Sequence, residues 1–163
     1  MKAKKYRLET VLGIRGRAKD EAARQVAVCL LKLESAEEEL ARRQRALQTC
    51  YEQQNKAQAL MNEELSQGVQ ARNILAHQNY LNDLRKLEIE LKEEVEKQIQ
   101  TVTKAEKELE TAREKLSETA RDFKSIEVHK ENWQVSQQNE KNRREQKLSD
   151  EIGAILHGRR GSS

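Results

Sequence analysis

The sequence predicts an all-α protein, a long antiparallel two-helix coiled-coil hairpin with unequal arms. Three observations carry this reading. The 163 residues include no proline and only six glycines, so little in the chain interrupts a helix. Charged residues make up 36% and the aromatics number five, a composition that cannot build an ordinary globular core. Apolar residues also recur at alternating steps of three and four over two long stretches, which a disordered chain of this composition would not sustain.

The first stretch counts from Leu12. One heptad row reads Leu12, Lys19, Val26, Leu33, Leu40, Leu47, Gln54 and Met61. The companion row reads Arg15, Ala22, Cys29, Ala36, Arg43, Cys50, Ala57 and Glu64. The first is mostly large and the second mostly small. A second register opens with Ile74, Leu81, Glu88, Val95, Val102, Leu109, Leu116, Phe123 and Lys130. Its companion is His77, Leu84, Leu91, Gln98, Ala105, Ala112, Thr119, Ile126 and Trp133.

Between the registers lies SQGVQ, Ser66 to Gln70, with a glycine suited to a tight reversal. Folding there so that facing residue numbers sum to about 138 sets large against small residues. Val26 then faces Ala112, Leu33 faces Ala105, Cys29 faces Leu109 and Ala57 faces Leu81. A parallel homodimer would stack alanine on alanine, so the intramolecular hairpin is preferred.

The chain is thus read as a single hairpin over 1–163. The first helix runs from about 4 to 65, the turn from about 66 to 70, the second helix from about 71 to 157, and a flexible tail from 158 to 163. At 1.5 Å per residue the arms measure roughly 90 and 130 Å. Residues beyond about 134 lack a partner, and SQQNEKNRREQK, Ser136 to Lys147, is entirely polar. Apolar residues return as Leu148, Ile152, Ile155 and Leu156. That face either folds onto Tyr6, Leu8, Val11 and Leu12 or stands free as a docking face.

Charge narrows the function classes. The net charge is +3, but residues 1–24 hold eight basic groups against three acidic ones. Leucines and glycines interrupt the arginines of YRLETVLGIRGRAKDEAAR, and acids follow at once, which argues against a nucleic-acid-reading helix. No run approaches a membrane span and no signal peptide opens the chain, so a cytoplasmic protein without membrane insertion is expected. About 30 Å of helix separates Cys29 from Cys50, making them seam residues and not a disulfide.

Catalysis needs concave, preorganised polar groups, which two helices do not supply. His77, His129 and His157 stand apart with no second His or Cys one turn away, so no metal is expected. His77 reads as a solvated residue at the edge of the seam. No nucleophile has a fixed base beside it and no phosphate loop exists, so neither enzyme activity nor a cofactor is expected.

Three segments in order then carry a family resemblance: YRLETVLGIRGRAKDEAAR, GVQARNILAHQNYLNDLRKLEIEL and HKENWQVSQQNEKNRREQKLSDEIGAIL. They are similar to the FliJ/YscO family, the coiled-coil stalk proteins of flagellar and virulence type III secretion ATPases. HKENW and the ending lean toward the virulence-type members. The family's late first-helix aromatics are represented only by Tyr51.

The resemblance implies a monomeric stalk whose termini-bearing end enters a hexameric export ATPase. It also implies contact with the cytoplasmic domain of the export gate, a membrane protein, and with export chaperones. Carried onto this sequence, the ATPase-facing candidates are Tyr6, Arg7, Leu8, Val11, Leu12, Leu148, Ile152, Ile155 and Leu156. The gate-facing candidates are Tyr80, Leu84, Leu87 and Leu91. Of the crowded NYLNDLRKLEIEL stretch, Leu81, Leu84 and Leu91 belong to the seam, whereas Tyr80 and Leu87 share a flanking position seven residues apart, on the same side as Ala46 and Leu60 of the first helix. They either widen the core or form an apolar stripe for a partner. Two other readings stay open: an export chaperone or adaptor, and a self-associating structural coiled coil.

Overall fold

In the computed structural model, which describes residues 3–68 and 70–161, helix α1 spans Glu9–Ser66 and helix α2 spans Ala71–Arg160. The two pack against each other as a hairpin, and the described residues contain no strand. The first helix therefore starts at Glu9 and not near residue 4. The Glu9 amide bonds the Tyr6 carbonyl at 3.3 Å, and residues 3–8 leave the helical path. The reason is Tyr6, which is drawn against α2 and is only 8% exposed. A helix's first turn has unbonded amides anyway, so shortening it costs little beside burying an aromatic ring.

The reversal follows the expected chemistry. Gly68 takes φ +75°, a left-handed conformation that strains other residues. Its amide bonds the Leu65 carbonyl at 3.3 Å, the tightening contact of a glycine C-cap. Val69 of the expected turn, the terminal Met1 and Lys2, and residues 162 and 163 of the expected tail lie outside the described residues. The rest of that tail is helical to Arg160, because His157, Arg159 and Arg160 complement the negative end of the α2 dipole.

Every position of the four heptad rows is buried or half-buried, polar members included. Contacts group the chain into two units, Met1–Ala23 with Lys115–Ser163, and Arg24–Glu114. In Arg24–Glu114, Ala57 packs with Leu81 and Leu84, and Met61 lies against that cluster. Cys50 is the deepest residue at 2% exposure, and the small Ala57 is buried together with Leu81 and Leu84 of the facing helix. Both cysteines are free, and Cys50 rests its thiol on the Leu84 carbonyl at 3.4 Å.

Polar seam residues in this unit reach across to backbone carbonyls, which keep a second lone pair after helix bonding. The Arg43 guanidinium donates to the Glu94 carbonyl at 3.0 Å, the Gln54 amide to that of Leu84 at 3.3 Å and the buried Gln98 amide to that of Ala36 at 2.9 Å. These pairs fall within a few residues of the expected sum of about 138, the register of an antiparallel seam.

The termini-bearing unit packs differently. A Cβ at Gly16 would stand 3.2 Å from the Phe123 ring, so this glycine lets the ring lie on the α1 backbone. Lys19 covers the same ring at 5.1 Å, and the Arg15 guanidinium donates to the Asp122 carbonyl at 3.2 Å. Lys130 pairs with Glu9 at 2.9 Å.

Candidate functional site

Of the residues expected to meet an ATPase, Tyr6 is a packing residue. Its hydroxyl shares a 2.6 Å hydrogen bond with His129 Nδ1, and its ring lies 5.4 Å from that of Trp133. Leu8, Val11 and Leu12 are half-buried, and Arg7 is exposed. Tyr6 and Leu8 sit in the short non-helical entry and at its turn, a placement invisible to a periodicity that reads the entry as helix.

The C-terminal candidates are all exposed. Every described residue from 141 onward is open to solvent, and Leu148, Ile152, Ile155 and Leu156 keep between 51% and 61% of their surface. The alternative in which this face folds onto the N-terminus is not the arrangement found. Pairs one turn apart support this stretch, such as Lys141 with Glu145 at 3.9 Å and Arg144 with Glu140, which also meets Lys4 at 3.9 Å. Four large apolar side chains on an otherwise charged helix form a surface that water does not favour.

The mid-chain candidates divide. Leu84 is buried and Leu91 half-buried in the seam, whereas Tyr80 and Leu87 stand 49% and 40% exposed. Tyr80 lines a groove with Leu60, Ala57, His77, Lys56 and Gln53, so a first-helix leucine joins the stripe. His77 is not the solvated edge residue its isolation suggests. It pairs with the Glu64 carboxylate at 2.5 Å, both side chains being largely covered, because the two occupy facing seam positions beside the turn.

Tyr51 belongs to a separate polar network. Lys92 stands 5.8 Å over its ring and pairs with Glu88 at 2.8 Å, while the Gln54 amide donates to Glu88 at 3.0 Å. Hydrogen bonding from Lys92, then from Gln54, holds the Glu88 carboxyl below its ordinary range, and Glu88, followed by Tyr51, raises the Lys92 ammonium.

Sequence periodicity also passed over a second groove in Arg24–Glu114. Its wall is Val28 and Leu31, its floor Ala36 and Ala105, with Ser35 and Thr101 beside them. The signal was available in Val28 and Leu31, two large apolar residues at heptad positions that normally face solvent.

Among the described residues, no group of three or more His, Cys, Asp or Glu could hold a metal, and no helix is long and apolar enough to cross a membrane. What the geometry offers is surface for partners: a free apolar helix face and two flanking grooves.

The chain's relatives fit that geometry. A family model described as YscO-like protein matches residues 3–162. No curated protein matches the sequence. The solved structure of a protein described as a YscO homolog, CT670 from Chlamydia trachomatis, is similar at a TM-score of 0.81 and 28% identity, over 99% of each chain. With an unbroken family match across both helices and a homologous hairpin of the same extent, this chain belongs to the YscO-like protein family.

Proposed function

We propose that this type III secretion-related helical protein is a non-enzymatic coupling element of an export apparatus on the cytoplasmic side of its membrane. Its C-terminal helix face, with Arg7 and the half-buried Leu8, Val11 and Leu12 nearby in sequence to the other terminus, docks in a hexameric export ATPase. The stripe of Tyr80, Leu87 and Leu60 docks on the cytoplasmic domain of the export gate, a membrane protein, with Leu84 and Leu91 supporting it from the seam.

The observation that carries this reading is the exposed quartet of Leu148, Ile152, Ile155 and Leu156, on a helical stretch whose described residues from 141 onward are all open to solvent. Burying such side chains is worth roughly 25 cal/mol per Å² of apolar surface, so a ring of helices offers them a favourable seat. Purified full-length protein is expected to stimulate the cognate ATPase, and a chain ending at Glu140 is expected to lose that effect. Full stimulation by the shortened chain overturns the tip assignment. A Tyr80→Ala, Leu87→Ala double variant is expected to fold normally and lose gate binding while keeping ATPase stimulation.

A further inference from the structure

The entry of the chain, residues 3–8, covers more of α2 than a helix of the same length would. Helix α1 begins at Glu9, which pairs with Lys130 at 2.9 Å. Lys4, five residues earlier, meets Glu140, ten residues further along α2, at 3.9 Å. Ten residues of α2 measure about 15 Å. Five residues advance about 7.5 Å as a helix and about 17 Å when extended, so an extended strap matches the distance. The seam positions Trp133, Gln137 and Glu140 are accordingly half-buried, whereas every described residue from 141 onward is open to solvent. The strap has one buried anchor, Tyr6, bonded to His129 at 2.6 Å with its ring 5.4 Å from that of Trp133.

The same residues also carry a helical pattern. Lys5 and Leu8 stand seven residues before Leu12 and Arg15, so each continues one heptad row of α1. With α1 extended backward in that register, Lys5 would meet the Trp133 ring, Leu8 would lie opposite Lys130, and Tyr6 would turn away from the seam. The strap gains the burial of an aromatic ring, and the added turn gains helix hydrogen bonds. We propose that residues 4–8 are a two-state latch, closed as the extended strap and open as an added turn of α1. Closed, it occupies Tyr6 and covers α2 as far as Glu140. Open, it turns Tyr6 to solvent and bares Gln137 and Glu140. The strap is therefore an autoinhibitory contact, because a partner that takes Tyr6 or this part of the α2 seam binds only the open state.

The test uses the full chain and two substitutions that each act on one state alone. Lys5→Leu stabilises the open state, since residue 5 is exposed in the strap and a seam residue in the added turn. Tyr6→Ala removes the anchor of the closed state. Circular dichroism confirms that each variant is folded. In nuclear magnetic resonance spectra the wild type is expected to show close contacts between Tyr6 and the single tryptophan, Trp133, and non-helical Cα shifts over residues 4–8. Lys5→Leu is expected to lose those ring contacts, to take helical shifts over 4–8 and to slow amide exchange there several-fold. Tyr6→Ala is expected to take the same helical shifts. A Lys5→Leu chain that keeps its Tyr6–Trp133 contacts overturns the proposal. So does either variant in which residues 4–8 become disordered, because the strap then has no second state to open into. None of these readouts involves the ATPase, so the latch and the function proposed above stand or fall separately.

Discussion

In Arg24–Glu114 the seam closes with small residues beneath leucines, Ala57 between Leu81 and Leu84 being the clearest layer. In the unit that holds both termini it closes with rings, Phe123 lying over Gly16 and Tyr6 against Trp133. The first solution places the facing backbones within reach of the polar seam side chains, so Gln54, Arg43 and Gln98 satisfy themselves on opposite carbonyls. The second needs a residue without a Cβ where the ring meets the backbone. It also shares its unit with a C-terminal helix that makes no seam at all. Equal apolar content therefore has unequal energetic meaning: a leucine under the seam holds the fold, while an isoleucine near the end of α2 does not.

The largest expected effect tests that difference directly. Leu84→Ala, in the deepest cluster of the leucine–alanine seam, is expected to cost about 2–5 kcal/mol in urea unfolding. Ile152→Ala, although it removes an equally large side chain, is expected to stay within about 0.5 kcal/mol of the wild type. Equal losses at the two sites would mean that the C-terminal face is packed in the free protein.

A pair of glycines gives the next effect, on the order of 1 kcal/mol. Nothing lies within 4 Å of a Cβ added at Gly153, so Gly153→Ala keeps the whole helix-propensity gain. Amide exchange over residues 145–160 is expected to slow a few-fold. Gly16→Ala has the same intrinsic gain but must displace the Phe123 ring from 3.2 Å, and is expected to lower global stability. A gain at Gly16 would show that the ring is free to move aside.

The contrast between the two units was only half legible in the sequence. Every residue that heptad counting placed in the seam is buried or half-buried, polar ones included, because a 3.5-residue period leaves Gln98 or Arg43 no other face to occupy. The reversal at Gly68 was legible for the same kind of reason, since a left-handed residue after a long helix calls for glycine. The late start of α1 was not. It depends on Tyr6 meeting His129 and Trp133, a contact spanning more than a hundred residues that no local rule encodes. The groove beside Ala36 and Ala105 was missed because periodicity assigns Val28 and Leu31 to solvent and does not ask what small residues on the neighbouring seam leave open. The exposure of Tyr80 and Leu87 followed from their flanking position, and the antiparallel register already set Leu60 on their side.

A smaller effect sharpens the account of polar seam residues. Gln98→Ala removes the bond to the Ala36 carbonyl and leaves space, and is expected to cost about 1 kcal/mol or somewhat more. Gln98→Leu fills the space, and the Ala36 carbonyl keeps its helix bond, so its cost is expected to be lower. If leucine proved as harmful as alanine, the cross-helix bond itself, and not the packing, would be what the seam requires.

The smallest effect concerns Glu88, held by Lys92 and Gln54 at the edge of the same seam. Its folded pKa lies below the ordinary 4.5, so the unfolded chain binds this proton first as the pH falls. The stabilisation is therefore complete above about 4.5 and lost as the pH descends through the lower, folded value. Lys92 is the mirror case: raised above 10.5, it contributes fully below that pH and loses its share as the pH climbs through the folded value. Because the Lys92 side chain is 54% exposed, solvent and salt screen the pair, and the whole effect is small. Urea midpoints of the wild type and of Glu88→Gln, measured from about pH 6 to about pH 3, are expected to converge on the acid side. Two curves that stayed parallel would assign the stabilisation at this layer to the Gln54 bonds and the packing around Leu84, leaving the charge of Glu88 without a role in it.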